Sequence, residues 1–284
     1  IYYPIWHFEV EDLLVLKNNK GTNETRIRQM DFGVQLNKLF YERLITGGDI
    51  TLFSPSDVPG LYEAFYADQD EFKRLYETAE RNTRLRKKTV KAQELFSSFM
   101  NERKETGRIY LQNVDNANTH SSFDEKLHPI RQSNLCAEID LPTKPLNNIN
   151  DPDGRIALCT LSAVNWGLIK TIKDFERPCK MAIRGLDALL SYQNYPVLAA
   201  EESTKDFRPL GVGIINFAYF LAKNDLSYTD DLALEKVDEY AEAWSYFLIK
   251  ASADLAAEQG ACRLNDETKY SKGIVPCDTR KLDI

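Results

Sequence analysis

Segments whose apolar residues recur three and four positions apart alternate with short runs of β-formers. That alternation does most to narrow the fold. Helical spacing is read over Ile27 to Ile45, closed by Gly47 and Gly48, then over 61–67, 69–80, 90–105 and 173–192. The longest such segment, Asp231 to Gly260, ends in its own glycine, and "LGVGIINFAYFLAK" reads as a further, strongly apolar helix. Between these lie "TLFSPSDVPG", a strand running into a loop, "GRIYLQNVD", a buried strand, and "ALCTLSAVNWG", a β-rich run that can pass into a helix. Residues 2–17 fit either strand or helix, and "NNKGTNE", Asn18 to Glu24, reads as a turn or helix approach. Many helices with short buried strands between them favour an α/β architecture over an all-α bundle. A length of 284 residues suits one or two domains. No internal repeat or low-complexity segment is visible, and the clearest loop is "PTKPLNNINDPDG", Pro142 to Gly154.

Charge and cysteine usage exclude several classes. A net charge of −7 makes a general nucleic-acid binder a poor fit. The single basic run, "RNTRLRKKTVK" (Arg81 to Lys91), reads as the solvated start of a helix rather than a phosphate-binding patch. No stretch reaches 18 consecutive apolar residues, so no membrane helix is expected. The N-terminal segment is apolar but acidic and carries no basic leader, so the expected location is cytoplasmic. Five irregularly spaced cysteines (136, 159, 179, 262 and 277) argue against a secreted disulfide framework and leave room for reactive thiols. A start at Ile1 fits a fragment, a processed product or one part of a split protein.

The densest chemistry lies in "SNLCAEIDLP", Ser133 to Pro142. Asn134, Cys136 and Glu138 alternate with Leu135, Ala137 and Ile139. In an extended segment the amide, thiol and carboxylate would share one face and the three apolar residues the other. The bland alternative is a half-buried edge strand, and spacing alone leaves both open. Cys159 follows in a second short β-rich run. Cys179 fits a helix face as a small core residue, and Cys262 and Cys277, in C-terminal loops without acid-base neighbours, are read as structural. "GVGIIN" is too weak for a dinucleotide site and reads as close helix packing. His7, His120 and His128 lack ligand spacing, so no metal is expected, and no GxSxG or GxxxxGK[ST] motif is present.

"RQSNLCAEIDLPTKPL" followed by "GRIALCTLSAVNWG" resembles the centre of the large, catalytic subunits of class I (aerobic) ribonucleotide reductases. "YPIWHFEVEDLLVLKNNKG", "DITLFSPSDVPGLYEAF", "TGRIYLQNVDNANTH", "GVGIINFAYFLAK" and "ASADLAAEQGAC" resemble the same subunits in the same order, so the likeness covers essentially the whole chain. The resemblance implies residues 1–284 as the central portion of a ten-stranded α/β barrel with a finger loop through its centre. At the finger's tip Cys136 would become a thiyl radical. Glu138 matches the carboxylate that takes the 3′-hydroxyl proton, Asn134 the amide that hydrogen-bonds the sugar hydroxyls, and Cys159 one of the thiols that end as a disulfide. Ser133 and Asn134, with Glu138, would contact substrate. Leu135, Ala137 and Ile139 would pack the back of the loop, in keeping with the dry enclosure that a thiyl radical requires.

By the same resemblance the substrate is a ribonucleoside diphosphate and the radical comes from a separate diiron-tyrosyl small subunit. Nucleoside triphosphate effectors bind mainly outside this segment. Thioredoxin or glutaredoxin supplies electrons, and the large subunit is a homo-oligomer. No cofactor is expected within the segment. In the family, however, a first redox cysteine precedes the finger, and no cysteine precedes Cys136 here. The effector and activity regions, the phosphate loop, the relay tyrosines and the cysteine tail of the family are likewise unmatched, so complementary large-subunit segments are expected as partners. Two alternatives stand beside this reading: a catalytically silent assembly segment of a split reductase, and a cobalamin-dependent or glycyl-radical relative.

Overall fold

Phe32–Leu36, "FGVQL", is buried at all five positions. A strand covered on both faces loses the two-residue alternation of a half-buried one. It forms β2, in the middle of a parallel sheet ordered β1–β2–β5, with β1 at Tyr2–Pro4 and β5 at Ile109–Asn113. The helix expected over Ile27 to Ile45 is therefore corrected: only its second half is helical. Residues 2–17 hold both alternatives, β1 and then helix α1, Val10–Leu14. The computed structural model describes residues 1–279, in two units. One is Ile1–Thr143 with the stretch from Asp266 onward, and the other is Lys144–Asn265.

In the first unit Asn37 ends β2 and starts α2, Lys38–Thr46, its side-chain oxygen accepting from the Phe40 N–H at 3.3 Å. Gly47 closes α2 in the left-handed conformation (φ 68°), as the sequence predicts. Strand β3, Asp49–Phe53, leads to α3, Leu61–Ala67, and α4, Gln69–Arg81. The basic run then departs from expectation: Arg81 ends α4, and Lys87–Lys91 is an edge strand, β4, antiparallel to β3. Lysine-rich edges resist pairing with other chains, and these charges are answered within the chain, Lys88 by Glu11 and Lys91 by Asp49 at 2.7 Å. Helix α5, Ala92–Thr106, precedes β5, and α6, Val114–Thr119, follows it. One core forms between sheet and helices around Val34, Leu52 and Phe99; a second gathers Trp6, Phe53, Phe65, Phe72 and Tyr76.

In the second unit β6, Leu161–Asn165, pairs in parallel with β7, Gly211–Ile215. The helix expected over "LGVGIINFAYFLAK" is thus split. Its first part is β7, its second is α9, Phe217–Ala222, and Asn216 (φ 62°) turns the chain between them. The glycine of "GVG" answers to strand packing rather than helix packing, since a Cβ on Gly211 would stand 2.5 Å from the Leu161 side chain. Helices α7, Glu176–Tyr192, α8, Leu198–Phe207, and α10, Asp231–Gln259, complete the unit around Trp166, Phe175, Phe220 and Tyr240. Cys179 is buried in that core, as expected, and burial pushes its thiol up to about 11. The loop expected at Pro142 to Gly154 is present, held by a bridge between Lys144 and Arg155. The last described element is α11, Pro276–Thr279. Among the described residues no helix is long and apolar enough to cross a membrane, and no cluster of three or more His, Cys, Asp or Glu is arranged to hold a metal ion.

Candidate active site

The cysteine-bearing stretch rises from a buried anchor. Asn118, on α6, brackets Ile130: its Oδ1 accepts from the Ile130 N–H at 2.7 Å and its Nδ2 donates to the Ile130 carbonyl at 3.0 Å. Both residues are buried. Beyond this clamp Ser133 and Asp140 form an isolated antiparallel bridge, and the chain between them is a finger. The Ala137 N–H donates to the Asn134 carbonyl at 3.1 Å, closing a turn with Leu135 and Cys136 at its centre. Ala137 itself is left-handed (φ 60°).

The extended segment expected over Asn134 to Ile139 is therefore corrected. A turn has no alternating faces, so the reason given for grouping amide, thiol and carboxylate does not hold. What groups them is the asparagine. Asn134 Oδ1 accepts from the N–H groups of Glu138 and Ile139, both at 3.1 Å, and the Ser133 hydroxyl donates to the Ile139 carbonyl at 2.8 Å. Asn134 thus folds the tip, with Cys136 and Glu138 one residue either side of Ala137. The packing expected behind the loop is also corrected: Leu135 and Ala137 are exposed, as are Cys136 and Glu138, and only Ile139 is half-buried. The water-poor enclosure is not built by these residues.

Polar groups that sequence reasoning passed over hold the base of the finger. Tyr2, on β1, donates its hydroxyl to the Asn134 carbonyl at 3.2 Å. Burial pushes the Tyr2 phenol above its ordinary range. A hydrogen bond with Ser133 opposes this, and the nearby Asp140 and Glu138 carboxylates add to it. Gln35 on β2 and Gln112 on β5 are register partners, both buried. Gln35 Nε2 donates to the Arg131 carbonyl at 2.5 Å and to Gln112 Oε1 at 2.8 Å, and Gln112 Nε2 donates to Asp140 Oδ1 at 3.1 Å. Desolvation raises the Asp140 carboxyl, and the Gln112 hydrogen bond pulls against it. The available signal was a glutamine at the fourth position of each of two short strands, "FGVQL" and "IYLQN".

The second expected thiol is placed differently from expectation. Cys159 is exposed and lies in irregular chain two residues before β6, not in a strand. It belongs to the second unit, and the finger to the first.

The family model for the ribonucleotide reductase barrel domain matches residues 1–282. The chain belongs to that family. It is 60% identical, over 284 residues, to the ribonucleoside-diphosphate reductase subunit alpha of Haemophilus influenzae, covering all of this chain and 38% of that protein. It is 58% identical to ribonucleoside-diphosphate reductase 1 subunit alpha of Escherichia coli over 284 residues, all of this chain and 37% of the relative. With the subunit alpha of Enterobacteria phage T4 it shares 49% over 290 residues, covering 99% of this chain and 37% of that protein. The chain thus spans a little over a third of the length of these relatives. The α/β barrel class expected of a ribonucleotide reductase is borne out. The described residues contribute parallel sheets of three and two strands and do not close a barrel.

Proposed function

We propose that this chain is the radical-bearing core of a ribonucleoside-diphosphate reductase, converting ribonucleotides to 2′-deoxyribonucleotides together with the remaining segments of the large subunit. The observation that carries the proposal is the finger: a thiol and a carboxylate flank one left-handed residue at a tip folded by Asn134, in a chain 58–60% identical to reductase alpha subunits. In this reading Cys136, oxidised by loss of one electron and one proton to the radical centre of a separate diiron-tyrosyl subunit, takes the hydrogen atom from C3′ of the ribose. The Glu138 carboxylate accepts the 3′-hydroxyl proton, which eases departure of the 2′-hydroxyl. The thiol pair, with Cys159 as one member, supplies two electrons and the protons. The 2′-oxygen leaves as water, a disulfide forms, and Cys136 returns its hydrogen to C3′. The sum is ribonucleotide plus two thiols giving deoxyribonucleotide, disulfide and water.

The tip suits those roles. A base must come within hydrogen-bond reach of the proton it removes, and the ties from Asn134 Oδ1 to the Glu138 and Ile139 N–H groups fix where the Glu138 backbone stands. Asn134 Nδ2 is the end of that amide that would donate to a sugar hydroxyl, with Ser133 beside it as a substrate contact. Exposure of Cys136 and Glu138 fits a site completed by further chain, since a thiyl radical needs exclusion of water. In the same reading thioredoxin or glutaredoxin reduces the disulfide, nucleoside triphosphate effectors bind mainly elsewhere, the large subunit is a homo-oligomer, and the enzyme works in the cytoplasm.

The test uses the complete large subunit with its small subunit and a dithiol reductant. Cys136→Ser should abolish deoxyribonucleotide formation, because a hydroxyl does not replace the thiyl. Glu138→Gln should lower kcat by about 10²–10⁴, the usual contribution of a positioned base. Turnover by Cys136→Ser at the wild-type rate would remove the proposal's central residue.

A further inference from the structure

Two buried glutamines grip both limbs of the finger at once. Gln35 is fully buried and Gln112 is 7% exposed; they face each other across the parallel pair β2–β5. The direction of each hydrogen bond follows from chemistry. The Arg131 carbonyl can only accept, so Gln35 must turn Nε2 toward it. That leaves Gln35 Oε1 as the acceptor for the Tyr66 hydroxyl at 2.7 Å. Gln35 Nε2 then meets Gln112 Oε1, which forces Gln112 Nε2 toward the Asp140 carboxylate. The result is a one-way relay: Tyr66 hydroxyl, Gln35 amide, Gln112 amide, Asp140 carboxylate. Chains in which every donor points the same way strengthen one another in a low-dielectric interior.

Its two outputs land on opposite sides of the tip. Arg131 lies before the Ser133–Asp140 bridge, on the limb leading to Cys136, and its guanidinium lies over the Tyr62 and Tyr66 rings, 5.9 Å from each centroid. Asp140 is the bridge residue on the limb leading away. The strand floor therefore fixes the spacing of the limbs and, through it, the position of Cys136 and Glu138.

We infer that Gln35 and Gln112 are positioning residues for the radical-bearing tip: they act through Arg131 and Asp140 and touch neither substrate nor reacting atoms. The inference rests on the proposed reductase reading. Removing the relay should slow hydrogen transfer while leaving substrate affinity nearly intact.

The test is steady-state kinetics on the complete large subunit with its small subunit and reductant, using substrate carrying hydrogen or deuterium at C3′. Gln112→Met keeps the shape of the side chain and deletes its amide. It should lower kcat about tenfold to a hundredfold, the size of effect expected of a displacement near 1 Å at a reacting centre. KM should change less than about threefold, and the 3′-deuterium isotope effect on kcat should rise as hydrogen transfer becomes more rate-limiting. If Gln112→Met does not fold, Tyr66→Phe decides the matter: it removes only the hydroxyl that feeds Gln35 and should show the same pattern at smaller amplitude. A variant that retains wild-type kcat and isotope effect, or loses activity through KM alone, overturns the inference. Cys136→Ser measured alongside separates the two levels. An inactive Cys136→Ser with a wild-type-like Gln112→Met rejects only the positioning role, whereas an active Cys136→Ser rejects the reductase reading beneath it.

Discussion

A methyl group placed on Gly33 would strike the ring of Tyr2. The three nearest atoms to a Cβ there all belong to that ring, at 2.4, 2.5 and 3.1 Å, where carbon atoms normally rest about 3.5–4.0 Å apart. Gly33 is buried within β2, so the tyrosine has to give way, and in doing so it releases the Asn134 carbonyl at the finger's base. Overpacking of this kind costs about 1–3 kcal/mol, and the surrendered hydrogen bond accounts for about 0.5–1.5 kcal/mol of it. In a Tyr2→Ala background no ring is present to be struck. Gly33→Ala should then be neutral or stabilising by up to about 1 kcal/mol, because glycine is entropically costly inside a strand. The double-mutant cycle should therefore show a coupling of about 2 kcal/mol and a near reversal of sign. Urea titration of the four variants, compared by midpoint at unchanged slope, measures it. Equal destabilisation by Gly33→Ala in both backgrounds would refute the packing argument.

Trp166→Ala should cost about 3–5 kcal/mol by urea denaturation, because the fully buried indole meets the rings of Phe175, Phe217, Phe220, Tyr240 and Trp244. Asn37→Ala should cost about 1 kcal/mol in the same assay, the ordinary price of a lost N-cap. With its thiol held near 11 and buried, Cys179 should resist alkylation at about pH 8, since the thiolate is the nucleophile; exposed Cys136, Cys159 and Cys277 should label first, as mass mapping would report. Desolvation raises the Asp140 carboxyl above its ordinary range in the folded state, so the folded chain binds the proton more tightly than the unfolded one. Stability should fall as pH rises from the unfolded aspartate value, about 3.9, through the raised folded value. Asp140→Asn should flatten that part of a stability-against-pH curve.

Where segments carried a clear period and an end signal, the fold was legible. Helix α10 with Gly260, the Gly47 end of α2 and strand β5 stand as the sequence implies. The errors share a cause. Strands β2 and β7 are short apolar runs that run straight into helices, so their residues were absorbed into the neighbouring period. Strand β4 was hidden because "KKTVK" places lysines on a solvent-facing edge. At the finger, the site residues could be named from the motif, but their arrangement could not. Alternation pointed to an extended chain, and the turn depends on an alanine in a left-handed conformation that its residue type does not advertise. Gln35 and Gln112 were invisible because their meaning appears only when β2 and β5 lie side by side.

The parallel pairing of β2 with β5 also sets a timetable for synthesis. Gln112 follows Gln35 by 77 residues, so at about 5–20 residues per second the ribosome delivers the second strand roughly 4–15 s after the first. Throughout that interval a strand apolar but for Gln35 has an open edge and no neighbour on that side. Nascent chains stalled within this window should be the ones most prone to capture by chaperones.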